Sequence, residues 1–191
     1  MEITPLGIKG AWIAKSNIFE DDRGTFREWF KFEEVKKSTG LDFSVAQANI
    51  SNSKKGVLRG IHYSLTKCGQ SKWITCLSGH VIDVVVDIRP NSLTFRKYEL
   101  IDLKLGDARS LLVGSGLGHG YLSLEENSTI SYLLSSPYSP TEEFEINPMD
   151  PDLDIKWPLE LLGGGGQLIM SQKDMNALSI RERQIREELP K

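Results

Sequence analysis

The sequence contains few cysteines and has no excess of basic residues. Its 191 residues include 2 cysteines, Cys68 and Cys76. With no second pair nearby, these cysteines make a poor zinc motif and a poor disulfide framework, so we expect two reduced thiols. The net charge of −3 lacks the basic excess that is typical of nucleic-acid-binding proteins, so we predict no nucleic-acid partner.

Long hydrophobic runs are also absent from the sequence. No apolar run approaches the ~20 residues that a membrane-spanning helix needs. Residues 1–5 show no basic start followed by an apolar segment, so we expect no signal peptide, no membrane partner and a cytoplasmic location. The composition of 39% hydrophobic and 26% charged residues is ordinary for a globular protein, and we predict one domain over 1–191.

Short β-prone segments separated by turns predict an antiparallel β-sandwich or barrel. Beyond residue 64 these segments lie at 72–77, 81–88, 96–103, 109–113, 120–124 and 129–135. A short helix is predicted over 31–39 and ends at Gly40. A charged C-terminal helix is predicted over about 174–189. The four glycines at 163–166 predict a sharply turning segment.

The stretch at 56–63, Gly-Val-Leu-Arg-Gly-Ile-His-Tyr, places polar side chains in an otherwise apolar strand. A charge buried in a core without a partner is costly, so this stretch predicts a strand that lines a pocket. Strict alternation along a strand directs Arg59 and His62 to opposite faces. Both can reach one pocket only if the strand is kinked or bulged, and Gly60 is the position where this can occur.

His62 admits two interpretations. A lone histidine in an apolar strand is most often a hydrogen-bonded core residue. The second interpretation is that His62 is a general base. Arg59 and Lys72 favour it, because nearby cations favour the neutral imidazole that a general base needs. Arg23, Arg59 and Lys72 also suit a phosphate or diphosphate ligand, although three unrelated solvated side chains would have the same composition.

The histidines give only a weak prediction of a metal site. The sequence contains 3 histidines, His62, His80 and His119, and none forms a His-x-His pair. Catalytic zinc or iron commonly takes three protein ligands. Two of these histidines together with Asp83 could supply them, but we predict no metal.

Three further polar residues have both a structural and a functional interpretation. Asp83, inside the apolar segment 81–88, is either part of a structural ion pair or a pocket residue that needs a cation or histidine as partner. Tyr132 is either a core ring with a solvated edge or a general acid that stays protonated at neutral pH. Asp174 closes the sequence Ser-Gln-Lys-Asp at 171–174, which fits a helix capping box.

A series of motifs between residues 19 and 174 has the order and spacing of one protein family. The motifs are Asp-Arg-Gly-Thr-Phe at 22–26, Gln-Ala-Asn-Ile-Ser at 47–51, the stretch at 56–63, Gln-Ser-Lys at 70–72, Gly-His-Val-Ile-Asp-Val at 79–84, Gly-His-Gly-Tyr at 118–121, Tyr-Ser-Pro at 138–140, Asp-Pro-Asp-Leu at 150–153 and Ser-Gln-Lys-Asp at 171–174. In these the chain resembles the dTDP-4-dehydrorhamnose 3,5-epimerases and related dTDP-4-keto-6-deoxysugar epimerases, which are cupin-type proteins.

The resemblance implies an all-β jelly-roll sandwich that acts as a homodimer on a dTDP-sugar, without a metal or an organic cofactor. It also implies catalytic roles. His62 matches the general base, oriented by Asp174, and Tyr132 matches the acid on the opposite face of the sugar. Lys72 matches the group that stabilises the enolate oxygen.

The resemblance further implies a set of substrate-binding positions. Those for the diphosphate and sugar are Arg23, Gln47, Asn49 and Arg59. Those for the base or nucleoside are Phe26, Glu28 and Tyr138. The pocket residues that support the site are Asp83 and His119.

The chain departs from the common family pattern at three places, one of which is Gly114, where the family often has proline. Ser64 stands where the family usually has glutamine, and Gly-Leu-Gly-His-Gly-Tyr at 116–121 replaces the common Gly-Phe-Ala-His-Gly-Phe. The Gly-Leu-Gly-His form of this chain looks more like that of epimerases that invert a single carbon. Inversion at carbon 3, at carbon 5 or at both therefore stays open. The alternatives are a related cupin ketoisomerase, a non-catalytic jelly roll that binds sugar nucleotides, and a metal-dependent cupin.

Overall fold

The architecture consists of short β-strands with a few short helices, and the computed structural model describes residues 1–164 and 166–191. The centre of the predicted glycine turn at 163–166 therefore lies outside the described residues. The strands are β1 Glu2–Pro5, β2 Ala11–Lys15, β3 Phe19–Asp21, β4 Gly24–Phe26, β5 Gln47–Ser53, β6 Leu58–Ser64, β7 Lys72–Ser78, β8 His80–Asp87, β9 Tyr98–Lys104, β10 Arg109–Val113, β11 Leu117–Ser123, β12 Ser128–Leu134 and β13 Glu143–Glu145. The α-helices are α1 Phe32–Thr39, α2 Gln172–Met175 and α3 Ile180–Ile185, and Leu159–Leu162 forms a 3-10 turn.

Two antiparallel sheets face each other. The six-stranded sheet has the order β1-β2-β10-β7-β12-β5, and the five-stranded sheet has the order β13-β6-β11-β8-β9. Strands β3 and β4 form a separate hairpin. This arrangement confirms the predicted antiparallel β-sandwich.

Strand β8 is apolar along most of its length because both of its faces are covered. Val85 packs between the sheets with Ile74 of the six-stranded sheet. Val84, on the opposite face, packs in a second cluster with Trp157. Successive side chains of a strand alternate between its faces, so Asp83 shares the face of Val85 and points between the sheets.

The outer face of the six-stranded sheet is covered by α1. Val35 of this helix packs in one cluster with Trp73 and Leu112 of the sheet. The predicted end of the helix at Gly40 is confirmed, since Gly40 has a φ of 74° and its N–H donates to Lys36 O at 2.9 Å. Glycine adopts this left-handed conformation without steric cost.

The prediction of one C-terminal helix over about 174–189 was wrong, because the chain forms two shorter helices there. Helix α2 ends at Met175, and α3 begins only after Ser179. Ser179 forms a capping box with Glu182, in which Glu182 N donates to Ser179 Oγ at 3.2 Å and Ser179 N donates to Glu182 Oε2 at 2.8 Å. The charge run predicted helical character correctly, but a new N-terminal cap inside it starts a second helix.

The two cysteines are both free, as predicted, with Cys68 exposed and Cys76 buried. In the described part of the chain, no helix combines the length and the apolar character needed to cross a membrane.

Candidate active site

Strand β6 carries a bulge at the position that the sequence predicts. On the neighbouring strand β11, His119 pairs with His62 and Tyr121 pairs with Arg59, with a register shift between them. One intervening residue on β11 therefore faces two on β6. Both Arg59 and His62 line the same cavity, which confirms the predicted bend.

Gly60 makes this bulge possible. Its φ is 125°, which is unfavourable for residues with a side chain. A Cβ atom added there would lie 2.6 Å from Gly120 Cα and 2.9 Å from His119 O. Backbone atoms at these distances leave no room for a side chain, so this position requires glycine.

The cavity lies between the two sheets and has two connected parts. The outer part has a volume of about 260 Å³, and the inner part has about 140 Å³. Four of the residues predicted to bind or act on substrate line both parts, namely Arg59, His62, Lys72 and Tyr132. Asn49, Tyr138 and Asp174 line only the outer part, and His119 lines only the inner part.

His62 and Asp174 form a hydrogen-bonded pair. His62 Nε2 lies 2.7 Å from Asp174 Oδ1. An ionised carboxylate only accepts hydrogen bonds, so this nitrogen donates and the other ring nitrogen is left to accept a proton. Burial raises the pKa of Asp174, but the hydrogen bond and charge of His62, together with Ser171 and Lys173, outweigh it, so the pKa is lowered overall.

Asp174 takes part in the N-terminal cap of α2 and also contacts His62. Its backbone N–H donates to Ser171 Oγ at 3.0 Å, which caps α2 as the sequence predicts. Ser171 Oγ in turn donates to Asp174 Oδ2 at 2.9 Å. Ser171 therefore holds the carboxylate through Oδ2, while Oδ1 points at His62.

Lys72 is a buried lysine at the floor of the cavity. Its side chain extends from β7 of the six-stranded sheet, and Nζ donates to His62 O at 3.3 Å. Burial lowers the pKa of Lys72, whereas the carboxylates of Glu143 and Asp83 act in the opposite direction. The site thus holds a positive charge or a readily released proton beside His62.

Tyr132 lies on the wall opposite His62. It belongs to β12 of the six-stranded sheet, whereas His62 belongs to β6 of the five-stranded sheet. Burial raises the pKa of Tyr132, and the nearby Asn49 side chain opposes only part of this shift. The phenol is therefore protonated at neutral pH and can donate a proton from the side opposite the histidine.

Asp83 and His119 form a second buried pair in the inner part of the site. His119 Nε2 lies 2.9 Å from Asp83 Oδ2. Burial raises the pKa of Asp83, although His119 opposes that shift. Asp83 Oδ1 lies at the same distance of 2.9 Å from His119 Nε2, and among the described residues it makes no hydrogen bond of its own. This pair places a carboxylate close to Lys72.

Gln47 is hydrogen-bonded to two predicted binding residues that line the outer part of the cavity, Asn49 and Tyr138. Gln47 Nε2 donates to Asn49 Oδ1 at 2.9 Å. Gln47 Oε1 accepts from the backbone N–H of Tyr138 at 2.9 Å. These contacts join β5 to the loop that carries the Tyr138 ring.

Three further predicted binding residues, Arg23, Phe26 and Glu28, lie outside the cavity lining. Arg23 sits at the tip of the β3–β4 hairpin, where Nη2 lies 2.6 Å from Asp21 Oδ2 and the arginine side chain is 89% exposed. Phe26 is 68% exposed, and Glu28 makes only a 3.7 Å contact with Lys31. Neither pocket lining within the described chain includes any of them.

The sequence did not identify Glu143 as a site residue. The proline-rich segment around it reads as irregular, yet 143–145 forms β13 and pairs with β6, with Glu145 opposite His62. Glu143 lines the cavity and accepts from Gln70 Nε2 at 3.0 Å. The Glu-Phe-Glu alternation at 143–145 is the one signal that could have indicated this strand.

The three histidines lie in separate pairs. His62 contacts Asp174, His119 contacts Asp83, and His80 Nε2 lies 2.9 Å from Asp102 Oδ1. Within residues 1–164 and 166–191, no group of three or more His, Cys, Asp or Glu side chains is arranged to hold a metal ion.

Known proteins resemble this chain in both sequence and fold. The family model described as dTDP-4-dehydrorhamnose 3,5-epimerase matches residues 5–182. A Streptomyces griseus protein named dTDP-4-dehydrorhamnose 3,5-epimerase is 42% identical over 187 residues, which cover 97% of this chain and 90% of that protein.

Two solved structures extend the similarity to the whole fold. The rmlC epimerase of Mycobacterium tuberculosis has a TM-score of 0.95 at 38% identity, covering 100% of this chain and 94% of that one. A 3'-monoepimerase from Streptomyces bikiniensis, in complex with dTDP-quinovose, has a TM-score of 0.91 at 39% identity, covering 97% and 91%. These likenesses confirm the predicted cupin-type jelly-roll fold.

Proposed function

The chain belongs to the dTDP-4-dehydrorhamnose 3,5-epimerase family, and from this premise we propose that it epimerises a dTDP-4-keto-6-deoxyhexose in deoxysugar biosynthesis. The match of the family model and of the Streptomyces griseus protein confirms the resemblance that the sequence motifs indicated. One observation carries the proposal. A histidine–aspartate pair and a protonated tyrosine line one cavity from opposite sheets, with a buried lysine beside the histidine.

The proposed reaction follows from the chemistry of the substrate and the placement of these groups. The 4-keto group acidifies the hydrogens on the adjacent carbons. His62 removes one as a proton, and the positive charge of Lys72 stabilises the oxygen of the resulting enolate. Tyr132 returns a proton from the opposite face, which inverts the carbon. The separation of base and acid onto facing walls is what inversion requires.

Arg59, Asn49, Gln47 and Tyr138 are proposed to bind the nucleotide. They surround the cavity mouth, where the guanidinium of Arg59 suits a diphosphate. Asp83 and His119 support the site from the inner part, where they lie near Lys72.

We also propose a homodimer, because the remaining binding residues lie outside the cavity of their own chain. Arg23 and Phe26 lie in the β3–β4 hairpin and Glu28 follows it; the Phe19 and Phe26 rings of the hairpin lie 6.4 Å apart in a tilted arrangement and are open to solvent. In the dimer, the hairpin of one protomer contributes these side chains to the cavity of its partner. An exposed aromatic pair is a common feature of such interfaces.

The experiment that tests the activity is proton exchange in deuterated water. The protein is incubated with dTDP-4-keto-6-deoxyglucose, and exchange at each ring carbon is followed by NMR. We expect exchange at carbon 3, carbon 5 or both, and we expect His62→Ala to abolish it while the far-UV circular dichroism spectrum is unchanged. No exchange by the wild-type protein would exclude epimerisation of this substrate. A fully active His62→Ala variant would show that another residue is the base.

A narrower activity is a second candidate. The Gly-Leu-Gly-His form at 116–119 and the likeness to a 3'-monoepimerase favour inversion at carbon 3 alone. The same NMR experiment separates the two activities, since a dual epimerase exchanges both positions and a monoepimerase exchanges one.

A further inference from the structure

The hydroxyl of Tyr121 lies buried between the two sheets at the inner end of the cavity. Tyr121 is only 3% exposed, and it pairs with Arg59 across strands β11 and β6. Its oxygen lies 2.9 Å from both Ser51 Oγ and Ser53 Oγ.

The two serines belong to a polar row on β5. Ser51 and Ser53 alternate with outward-facing residues and share the inner face of the strand with Asn49. A buried hydroxyl without a hydrogen-bond partner is costly. The serines satisfy Tyr121 and connect it to the row of side chains at the cavity mouth.

Ser53 also binds Arg59. Arg59 Nε donates to Ser53 Oγ at 3.2 Å, and its Nη2 lies 3.4 Å from Asn52 O. Among the ion pairs formed by the described residues, none involves Arg59. Its guanidinium is therefore fixed by neutral oxygens on one edge, while its charge is left uncompensated for an anion.

We propose that the Tyr121 hydroxyl is a positioning group that, through Ser53, holds the Arg59 guanidinium at the cavity to receive the diphosphate of the substrate. The inference rests on the proposed function, because that function supplies the diphosphate. A fixed arginine loses less side-chain entropy on binding than a mobile one. The hydroxyl therefore contributes to nucleotide affinity without touching the reacting carbons.

Tyr121→Phe tests this inference, since it removes one oxygen atom and keeps the ring. We expect the Kd for dTDP, measured by calorimetry, and the KM of the sugar nucleotide to rise about three- to tenfold, as expected for one lost hydrogen bond. We expect kcat to change by less than about twofold, because uniform binding is lost rather than transition-state stabilisation. Ser53→Ala should have the same effect, and the double variant should be no weaker than the weaker single variant.

Tyr63→Phe is the matched control. It also removes a buried tyrosine hydroxyl, which donates to Glu188 O at 2.7 Å, but Tyr63 is not among the described residues that line the cavity. We expect its Kd for dTDP to equal that of the wild type. Thermal unfolding of every variant reports whether the fold persists, and Ser53→Ala decides the question if Tyr121→Phe does not fold.

The possible outcomes separate this inference from the proposed function. If the wild-type protein does not bind dTDP, the proposed function fails. If the wild type binds dTDP and Tyr121→Phe binds equally well, the positioning role is overturned. Additive losses in the double variant, or a fall in kcat at constant KM, would also overturn it.

Discussion

The cavity wall on β6 and the β3–β4 hairpin differ in how they hold the residues predicted to bind substrate. On β6, each polar side chain has a partner supplied by another element: Asp174 for His62 and Ser53 for Arg59. In the hairpin, Arg23 contacts only Asp21, two residues away, and both side chains are largely exposed. The wall side chains are held by residues from distant elements of the same chain, whereas Arg23 is paired with a neighbour in its own hairpin. Substitutions in the wall should therefore affect catalysis, whereas substitutions in the hairpin should affect substrate binding and assembly.

The largest expected effect is on kcat, for a substitution of Asp174, the partner of the proposed base His62. Asp174→Asn keeps the size of the side chain but no longer favours the required histidine tautomer, so we expect kcat to fall by about 10²–10⁴-fold. Steady-state kinetics measures the fall. The control is Asp152→Asn, since Asp152 is exposed and lies outside the cavity. A normal kcat in Asp174→Asn would show that this contact of the cavity wall is not needed for catalysis.

The second-largest expected effect is on the free energy of unfolding, for a substitution of the buried Asp87. Hydrogen bonds from Arg89, Ser92 and Thr94 outweigh the effect of burial and lower the pKa of Asp87 to about 2. Because the folded-state pKa lies below the unfolded value, the stabilisation is present above about pH 3.8 and is lost as the pH falls toward about 2.

Asp87→Asn should therefore lower the free energy of unfolding at pH 7 by about 2 kcal/mol. Chemical denaturation at a series of pH values measures the difference from the wild type, which should shrink below pH 4. In the hairpin, Asp21→Asn should change stability much less, because the Asp21–Arg23 pair is open to solvent. Equal losses in the two variants would contradict the comparison.

The hairpin should show its effect through substrate binding and assembly. We expect Phe26→Ala to raise the KM of the dTDP-sugar by about tenfold, as for loss of an aromatic contact. Leu93→Ala is the control, since Leu93 is a fully exposed apolar side chain elsewhere.

Mixing the Phe26→Ala and His62→Ala chains distinguishes the two regions directly. If the hairpin acts in the partner's cavity, mixed dimers contain one cavity with both groups intact and recover activity. Activity no higher than the sum of the separate variants would place the hairpin's action within its own chain.

The smallest expected effect is a shift in pH dependence at Glu143. Removing this carboxylate favours neutral Lys72, whose pKa is already lowered by burial. In Glu143→Gln, the alkaline limb of the pH–rate profile should therefore move to lower pH, while the amide oxygen can still accept from Gln70. Glu142→Gln, a neighbour outside the cavity lining, is the control. An unchanged profile would show that the charge of Lys72 does not limit the rate.

Much of the fold could be predicted because strand signals are local. The segment 109–113 is β10, and the helix ending at Gly40 follows from its own residues. The strand β13 was missed, because its proline-rich surroundings resemble a loop, its alternation covers only three residues, and its pairing partner β6 lies far away in the chain. The C-terminal helices were merged for a related reason, since a run of charges does not reveal an internal cap at Ser179.

The candidate site divides in the same way. Resemblance to a family suggested His62, Lys72, Tyr132 and Asp174, and all four line one cavity. Their roles in catalysis stay predictions. Glu143 was missed because its closeness to Lys72 depends on β13, and the hairpin residues were grouped with the cavity because a sequence motif carries no information about which chain's cavity it faces.

Residue type and alternation over a few neighbouring positions were enough to predict most of the strands, the family and the bend at Gly60. Only the tertiary structure decided that Asp174 meets His62, that Ser53 links Tyr121 to Arg59, and that the hairpin stands apart from the cavity. These contacts join residues far apart in the chain, and their distances depend on how the two sheets pack. The residue type fixes which hydrogen bonds a side chain can make, but the fold decides which distant residue is its partner.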